Sequence, residues 1–300
     1  MTREEKLASL YQGATVYRPL GEENSILVEV AMGCSWSKCA FCDFTRDPFG
    51  LIPLETVRQN IQAMGEMNLA GNRVFLLGQN AFCRSAEELM QIFGYLRHYL
   101  PQVDEISMYA RADDVLRKTP DQLQTLKELG LTDLHIGVES GSDTVLVMVE
   151  KGETVFDLLN AFQKLDQAGI GYLVTSILGL GGKHLWKSHA IETARFYNRI
   201  HAKQIWVLAL KLFPGTKLHK QASQGLFEPL TPREMLLEER LLLQTLEVKD
   251  CFFMDTTALN KYTLAAPLPQ GKEGLLQAIE QLLQEGTFPG LELAADPRLN

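Results

Sequence analysis

Six short apolar runs, rich in β-branched residues, alternate along this chain with longer stretches of helical periodicity. The runs are Ile26–Met32, Arg73–Leu77, Glu105–Tyr109, Asp133–Val138, Tyr172–Leu178 and Gln204–Leu210. Between them the apolar spacing predicts helices near 54–68, 85–100, 119–129, 155–168 and 185–200. Ser85-Ala-Glu-Glu88, Thr119-Pro-Asp-Gln122 and Thr231-Pro-Arg-Glu234 each fit a capping box, two of them with proline at the first helical position. Strand–helix–strand repeats build right-handed βαβ units and so a parallel sheet, here expected as a partial (β/α)6 TIM-like barrel or an open doubly wound sheet. Near-continuous apolar strands fit a sheet covered on both faces. Either architecture binds ligands at the C-terminal ends of its strands.

The polar and glycine-rich irregularities fall at those ends. GCSWSKC follows the first run, GQNAF the second and ARADD the third; ESGSD, GLGGK and KLFPGT follow the fourth, fifth and sixth. Beyond them come an amphipathic helix near 231–246, an apolar run Cys251–Met254, an irregular Asn260–Gln270 and a last helix near Lys272–Leu283. The expected organisation is an N-terminal helical segment (1–24), a core barrel (25–230) and a C-terminal helical extension packed on it (231–300).

The chain has 300 residues, 46% of them hydrophobic, enough to bury a large core. Lys and Arg total 29 against 37 Asp and Glu, a net charge of -8, which argues against a nucleic-acid partner because phosphate binding needs a basic face. No apolar stretch is long enough for a signal peptide or a membrane span, so a cytoplasmic protein without a membrane partner is expected.

Three of the five cysteines, Cys34, Cys39 and Cys42, crowd into nine residues with C-x4-C-x2-C spacing. In a reducing compartment such a cluster reads as metal-binding, while Cys83 and Cys251 read as isolated buried thiols. Structural zinc needs four ligands, and no histidine or second cysteine pair lies nearby. An electron-transfer [2Fe–2S] protein of the plant type shares the spacing but needs a fourth cysteine, and the next is Cys83. A cubane on three cysteines leaves one iron open to a small molecule. A zinc-stabilised barrel enzyme, an electron-transfer protein and an open-iron enzyme all remain readings of this spacing.

The chain resembles the radical SAM superfamily over roughly residues 25–216, and in its tail a small, poorly characterised group of stand-alone members. GCSWSKCAFC, HIGVESG, ILGLGGK and FPGT carry the likeness, in that order and each at a strand end. Most members space their cysteines C-x3-C-x2-C, and this chain has one residue more. The resemblance implies a [4Fe–4S] cluster on Cys34, Cys39 and Cys42, with S-adenosyl-L-methionine chelating the fourth iron. Reductive cleavage would then give a 5′-deoxyadenosyl radical that abstracts hydrogen from a substrate. It further implies cofactor contacts at Phe41 (adenine), Gly78 and Asn80 (methionine amino group, where many members carry an acid), Glu139 (ribose or amino group) and Ser176. Arg111 and Lys211, charged and at strand ends, are the candidates for handling a polar substrate. Glu29, Arg111, Glu139 and Lys211 are also candidates for pairing with one another, since buried charges need partners. Neither a second cysteine cluster nor a cobalamin domain is expected beside the barrel. The implied partners are therefore a small polar molecule and a flavodoxin- or ferredoxin-type electron donor.

Overall fold

The structure, a computed structural model, describes residues 2–13, 17–43, 48–255 and 263–285. Among the described residues the strands form an eight-stranded sheet, in the order 26–29, 73–77, 105–110, 131–139, 171–178, 204–209, 251–255 and 264–268, with 31–32 and 50–51 in a separate two-stranded sheet. The chain divides into two compact units, one of residues 1–37, 44–135 and 164–171, the other of 38–43, 136–163 and 172–300.

The first unit carries α1 (Arg3–Ala8), β1 (Ile26–Glu29), β2 (Ala31–Met32), β3 (Gly50–Leu51), α2 (Leu54–Glu66) and β4 (Arg73–Leu77). A 3-10 turn at Ala81–Cys83, α3 (Ala86–Tyr99), β5 (Glu105–Ala110), α4 (Ala112–Arg117), α5 (Pro120–Glu128) and the start of β6 (Leu131–Glu139) follow. β1, β4 and β5 run parallel, with Ile26 opposite Val74 and Val74 opposite Ile106. Val28, Val74, Phe75, Leu76 and Met108 are fully buried, as β-branched and large apolar side chains in a covered sheet should be. Helix α2 lays Val57, Ile61 and Met64 on the sheet, and α3 lays Leu89, Ile92, Phe93 and Leu96. The expected capping boxes at Ser85 and Thr119 are both formed.

The run read as one strand, Ile26–Met32, is broken at Val30. The Val30 N–H donates to Leu77 O at 3.0 Å, and its carbonyl accepts from Ile52 N at 3.0 Å. β2 therefore leaves the parallel sheet and pairs antiparallel with β3, closing the base of the loop that carries the cysteines. Apolar periodicity continues through this break, so the sequence shows no boundary there.

A buried polar cluster occupies the N-terminal strand ends of this unit. Glu22, 1% exposed, accepts from Arg73 Nη2 at 2.7 Å, Arg73 Nε at 2.9 Å, Ser107 Oγ at 2.7 Å and the Ser25 hydroxyl, with His135 Nε2 at 3.3 Å. Arg73 also bridges Glu105 at 2.8 Å and Asp133 at 3.2 Å. Burial alone would raise the Glu22 carboxyl, but the bonds from His135, Arg73, Ser25 and Ser107 outweigh it and hold the group well below the usual carboxylate range.

The second unit carries α6 (Asp143–Met148), most of α7 (Val155–Ala168), β7 (Gly171–Leu178), α8 (Gly182–Tyr197), β8 (Gln204–Ala209) and α9 (Lys217–Ser223). Then come α10 (Pro232–Thr245), β9 (Cys251–Asp255), β10 (Leu264–Leu268) and α11 (Lys272–Glu285). β8 pairs parallel with β7 and β9, and β9 pairs antiparallel with β10. The tail thus adds two strands as well as helices. Within the segment expected to be irregular, 264–268 is strand, and 260–262 lie outside the described residues. The short helices α4, α6 and α9 were not expected, being too brief to show periodicity. Among the described residues no helix is long and apolar enough to cross a membrane.

Candidate functional site

The cysteine loop is shaped by its backbone. Gly33 and Ser37 adopt positive φ, 64° and 50°. The Ser37 hydroxyl donates to the Cys34 carbonyl. A left-handed backbone is uncommon for a residue other than glycine, and Ser37 adopts it between Cys34 and Cys39. Within the second unit, Ala40 is pinned from both sides. Its N–H donates to Val149 O at 2.8 Å, at the end of α6, and its carbonyl accepts from Leu218 N at 2.8 Å, in α9. Cys34, Cys39 and Cys42 are each half-buried, and the Cys42 N–H donates to Cys39 O at 3.2 Å. Phe41 is half-buried between them, and Phe44 lies outside the described residues.

The other two thiols behave differently. Burial, reinforced by Asp114, pushes Cys83 up to about 12, and burial pushes Cys251 up to about 12. Near neutral pH both are therefore thiols rather than thiolates. Among the described residues no group of three Cys, His, Asp or Glu side chains is arranged to hold a single metal ion. That arrangement is not needed for a cubane, where each thiolate binds its own iron. Three thiols within nine residues of chain supply soft donors, the kind an iron–sulfur cluster takes.

At the strand ends of the first unit, Gly78 has φ 142°, and a Cβ there would stand 2.7 Å from Ala31 Cβ and 2.9 Å from Ala31 O. Only glycine lets β4 exit this close to β2. Asn80, fully buried, follows it. Its Nδ2 donates to Ser35 Oγ at 2.7 Å and to Asp114 Oδ2 at 2.6 Å, while its Oδ1 has no hydrogen-bond partner. A buried unsatisfied acceptor is costly, and an incoming cationic donor would satisfy it. Arg111 caps α4; its Nε donates to Asp113 at 3.0 Å and its guanidinium lies 5.1 Å from the Trp36 ring centre.

In the second unit Glu139 ends β6 with φ 64°, a strained conformation for a residue other than glycine. It is 9% exposed, and its Oε1 meets Lys151 Nζ at 3.4 Å. Lys151 is returned to it by the turn that closes α6, through Lys151 N–H to Leu146 O at 3.0 Å. A Cβ on Gly137 would stand 2.2 Å from Glu139 Oε1, so that glycine makes the room into which the carboxylate folds. Ser176 is buried on β7, beside the Tyr197 phenol. The Gly179 N–H of the GLGG turn donates to Glu238 Oε2 at 2.6 Å, and Glu238 Oε1 holds His189 Nδ1 at 2.7 Å. Helix α10 thereby fixes that turn. Lys211 follows β8 with its ammonium 4.9 Å from the Phe213 ring centre.

The four charges considered as mutual partners have others. Glu29 accepts from Gln12 N at 2.7 Å and Gly13 N at 2.9 Å, a structural tie of the N-terminal segment. Arg111 meets Asp113 and Trp36, Glu139 meets Lys151, and Lys211 meets Phe213. Sequence reasoning missed Ser35, Asp114, Lys151 and Glu238. ARADD carried the one available signal for Asp114, an acid at a strand end.

The chain is thus an α/β protein with a half-buried three-cysteine loop after its first strand. The radical SAM superfamily model matches residues 28–196, more than half of the chain, and the chain belongs to that superfamily. Its members are enzymes that use a [4Fe–4S] cluster and S-adenosyl-L-methionine. Of curated relatives, an uncharacterised protein of Methanocaldococcus jannaschii is 25% identical over 70% of this chain and 68% of its own length. A tRNA-2-methylthio-N(6)-dimethylallyladenosine synthase of Shewanella pealeana is 25% identical over 76% of this chain, which spans 49% of that enzyme. Of solved structures, the radical S-adenosylmethionine methyltransferase TsrM from Kitasatospora setae superposes with TM-score 0.56 at 17% identity, over 72% of this chain and 42% of that one. Methylornithine synthase superposes with TM-score 0.51 at 13% identity, over 94% and 89%. These neighbours share the partial-barrel α/β fold.

Proposed function

We propose that Cys34, Cys39 and Cys42 hold the [4Fe–4S] cluster and that the chain uses it to abstract hydrogen from a small polar substrate. When bound, the cluster supplies one electron that breaks a sulfonium C–S bond of S-adenosyl-L-methionine, leaving methionine and a 5′-deoxyadenosyl radical. The observation that carries the reading is the pairing of a three-cysteine strand-end loop with the unsatisfied, fully buried Asn80 Oδ1.

The chain's own residues would divide the work. Asn80 Oδ1 accepts from the cofactor's ammonium group, replacing the acid that many members carry. The glycine exit at Gly78 allows close backbone approach, and Phe41 packs on the adenine. Glu139, held on Lys151, accepts from ribose hydroxyls, and Ser176 contributes a further hydroxyl. Arg111 and Lys211 hold anionic or polar groups of the substrate. A low-potential flavodoxin- or ferredoxin-type donor delivers the electron. The relatives that modify tRNA align over about half their length, and the acidic balance of this chain favours a small molecule over RNA.

Anaerobic reconstitution with iron and sulfide tests the ligand set. About four irons and four sulfides per chain are expected, as one cubane requires. Replacing Cys34, Cys39 or Cys42 with alanine should remove them, while Cys83→Ala and Cys251→Ala retain them. Loss of the cluster in Cys83→Ala would instead favour a four-cysteine electron-transfer centre.

A further inference from the structure

We infer that Asp114 is a positioning residue that locks the Asn80 amide with its oxygen facing the cofactor, while Ser35 Oγ takes up the second amide proton. The inference rests on Asn80 being the ammonium acceptor proposed above. An asparagine amide can turn over, exchanging its acceptor for its donors, and only its neighbours decide which end faces a ligand. Asp114 is 1% exposed; one carboxylate oxygen is taken by the Arg117 guanidinium and the other faces Asn80 Nδ2 at 2.6 Å. Paired in that way, the carboxylate accepts and cannot donate. Turning the amide over would set the Asn80 oxygen against a buried carboxylate, a contact between two acceptors. The second amide proton goes to Ser35 Oγ at 2.7 Å.

Both donors are thus spent inside the protein, and the orphaned Oδ1 is left as the one group Asn80 can offer. Ser35 lies between Cys34 and Cys39, in the interval that carries the additional residue. The loop that binds the cluster therefore also holds the amide in register. A direct carboxylate would need no such orientation, because both of its oxygens accept. An amide does, and the Asp114 carboxylate supplies it.

The test is S-adenosyl-L-methionine affinity, measured anaerobically by calorimetry on cluster-loaded protein, with iron content and melting temperature recorded alongside. Asp114→Asn frees the amide to turn and is expected to weaken binding by about tenfold or more, the scale of one charge-assisted hydrogen bond. Asn80→Asp alone places two carboxylates side by side and should also bind weakly. The double variant Asn80→Asp with Asp114→Asn restores a donor facing an acceptor, and should recover affinity to within about threefold of the parent, a scale set by non-additive coupling in such cycles. A role for Asp114 that is purely structural, through Arg117, would not be rescued by a change at residue 80.

Parent affinity in Asp114→Asn, or no recovery in the double variant, overturns the inference. Should Asp114→Asn fail to fold, Asn80→Asp and the double variant carry the test: weak binding in the first that is restored in the second supports the inference, and equal binding in both overturns it. Failure of the parent protein, with its cluster intact, to bind the cofactor would instead overturn the proposed site itself.

Discussion

Replacing Arg84 with methionine is expected to cost about 2–4 kcal/mol of stability and to leave a chain that cannot retain its cluster. Arg84 is 1% exposed, and its guanidinium reaches across to both ends of the cysteine loop's base. Nε and Nη2 donate to Val30 O at 3.1 and 2.8 Å, and Nη2 donates to Ile52 O. Nη1 meets Glu88 Oε1 at 3.2 Å, which anchors the cation to α3. Val30 retains a bond from Ile52 N after the change, but Ile52 O loses its guanidinium donor in the interior. The hairpin of β2 and β3 then loses the clamp that fixes where the loop leaves and returns. Lysine is a poor replacement, since one ammonium on a flexible stem cannot reproduce the planar fork. Urea unfolding of the apo protein gives the stability term, and iron retained after desalting gives the cluster term. Parent values in both would show that the hairpin closes without Arg84.

Glu22→Ala should be the most destabilising single change in the first unit, by about 3–5 kcal/mol, because it strips four side chains of one shared acceptor and leaves Arg73 and His135 facing an emptied site. The same carboxylate gives the parent an acid signature. Its folded-state affinity for protons lies far below that of an exposed glutamate near 4.3, so its contribution is complete above about pH 5 and is lost as pH falls below that of the unfolded group. Glu22→Gln, which cannot ionise, should therefore lose more stability at pH 7 than at pH 3. Melting temperatures of parent and variant across that interval check the sign. Equal losses at both values would mean that the cluster works by packing alone.

The strand–helix alternation and the strand-end position of each irregular motif are legible in the sequence, since both follow from local periodicity and from glycine. The cysteine triplet is legible because its spacing is local. What is not legible depends on return paths through the fold. Arg84 reads as a polar residue before a helix, and only the break at Val30 makes it a clamp. Lys151 stands 12 residues from Glu139 and becomes its partner through the turn that closes α6. Asp114 is one of two adjacent acids, and pattern alone does not say that Asp113 turns to Arg111 while Asp114 turns to Asn80. The extra residue in the cysteine loop is visible as a count; the left-handed backbone at Ser37, φ 50°, is visible only as conformation.

Reductive cleavage of S-adenosyl-L-methionine at a cluster on three cysteines releases a diffusible nucleoside. The direct measurement is 5′-deoxyadenosine formed by anaerobically reconstituted protein under strong reduction, followed by chromatography. The product is expected to accumulate with the parent chain and to disappear in Cys39→Ala. A fully formed cluster that leaves the cofactor intact under the same reduction, or zinc bound without sulfide, would contradict it.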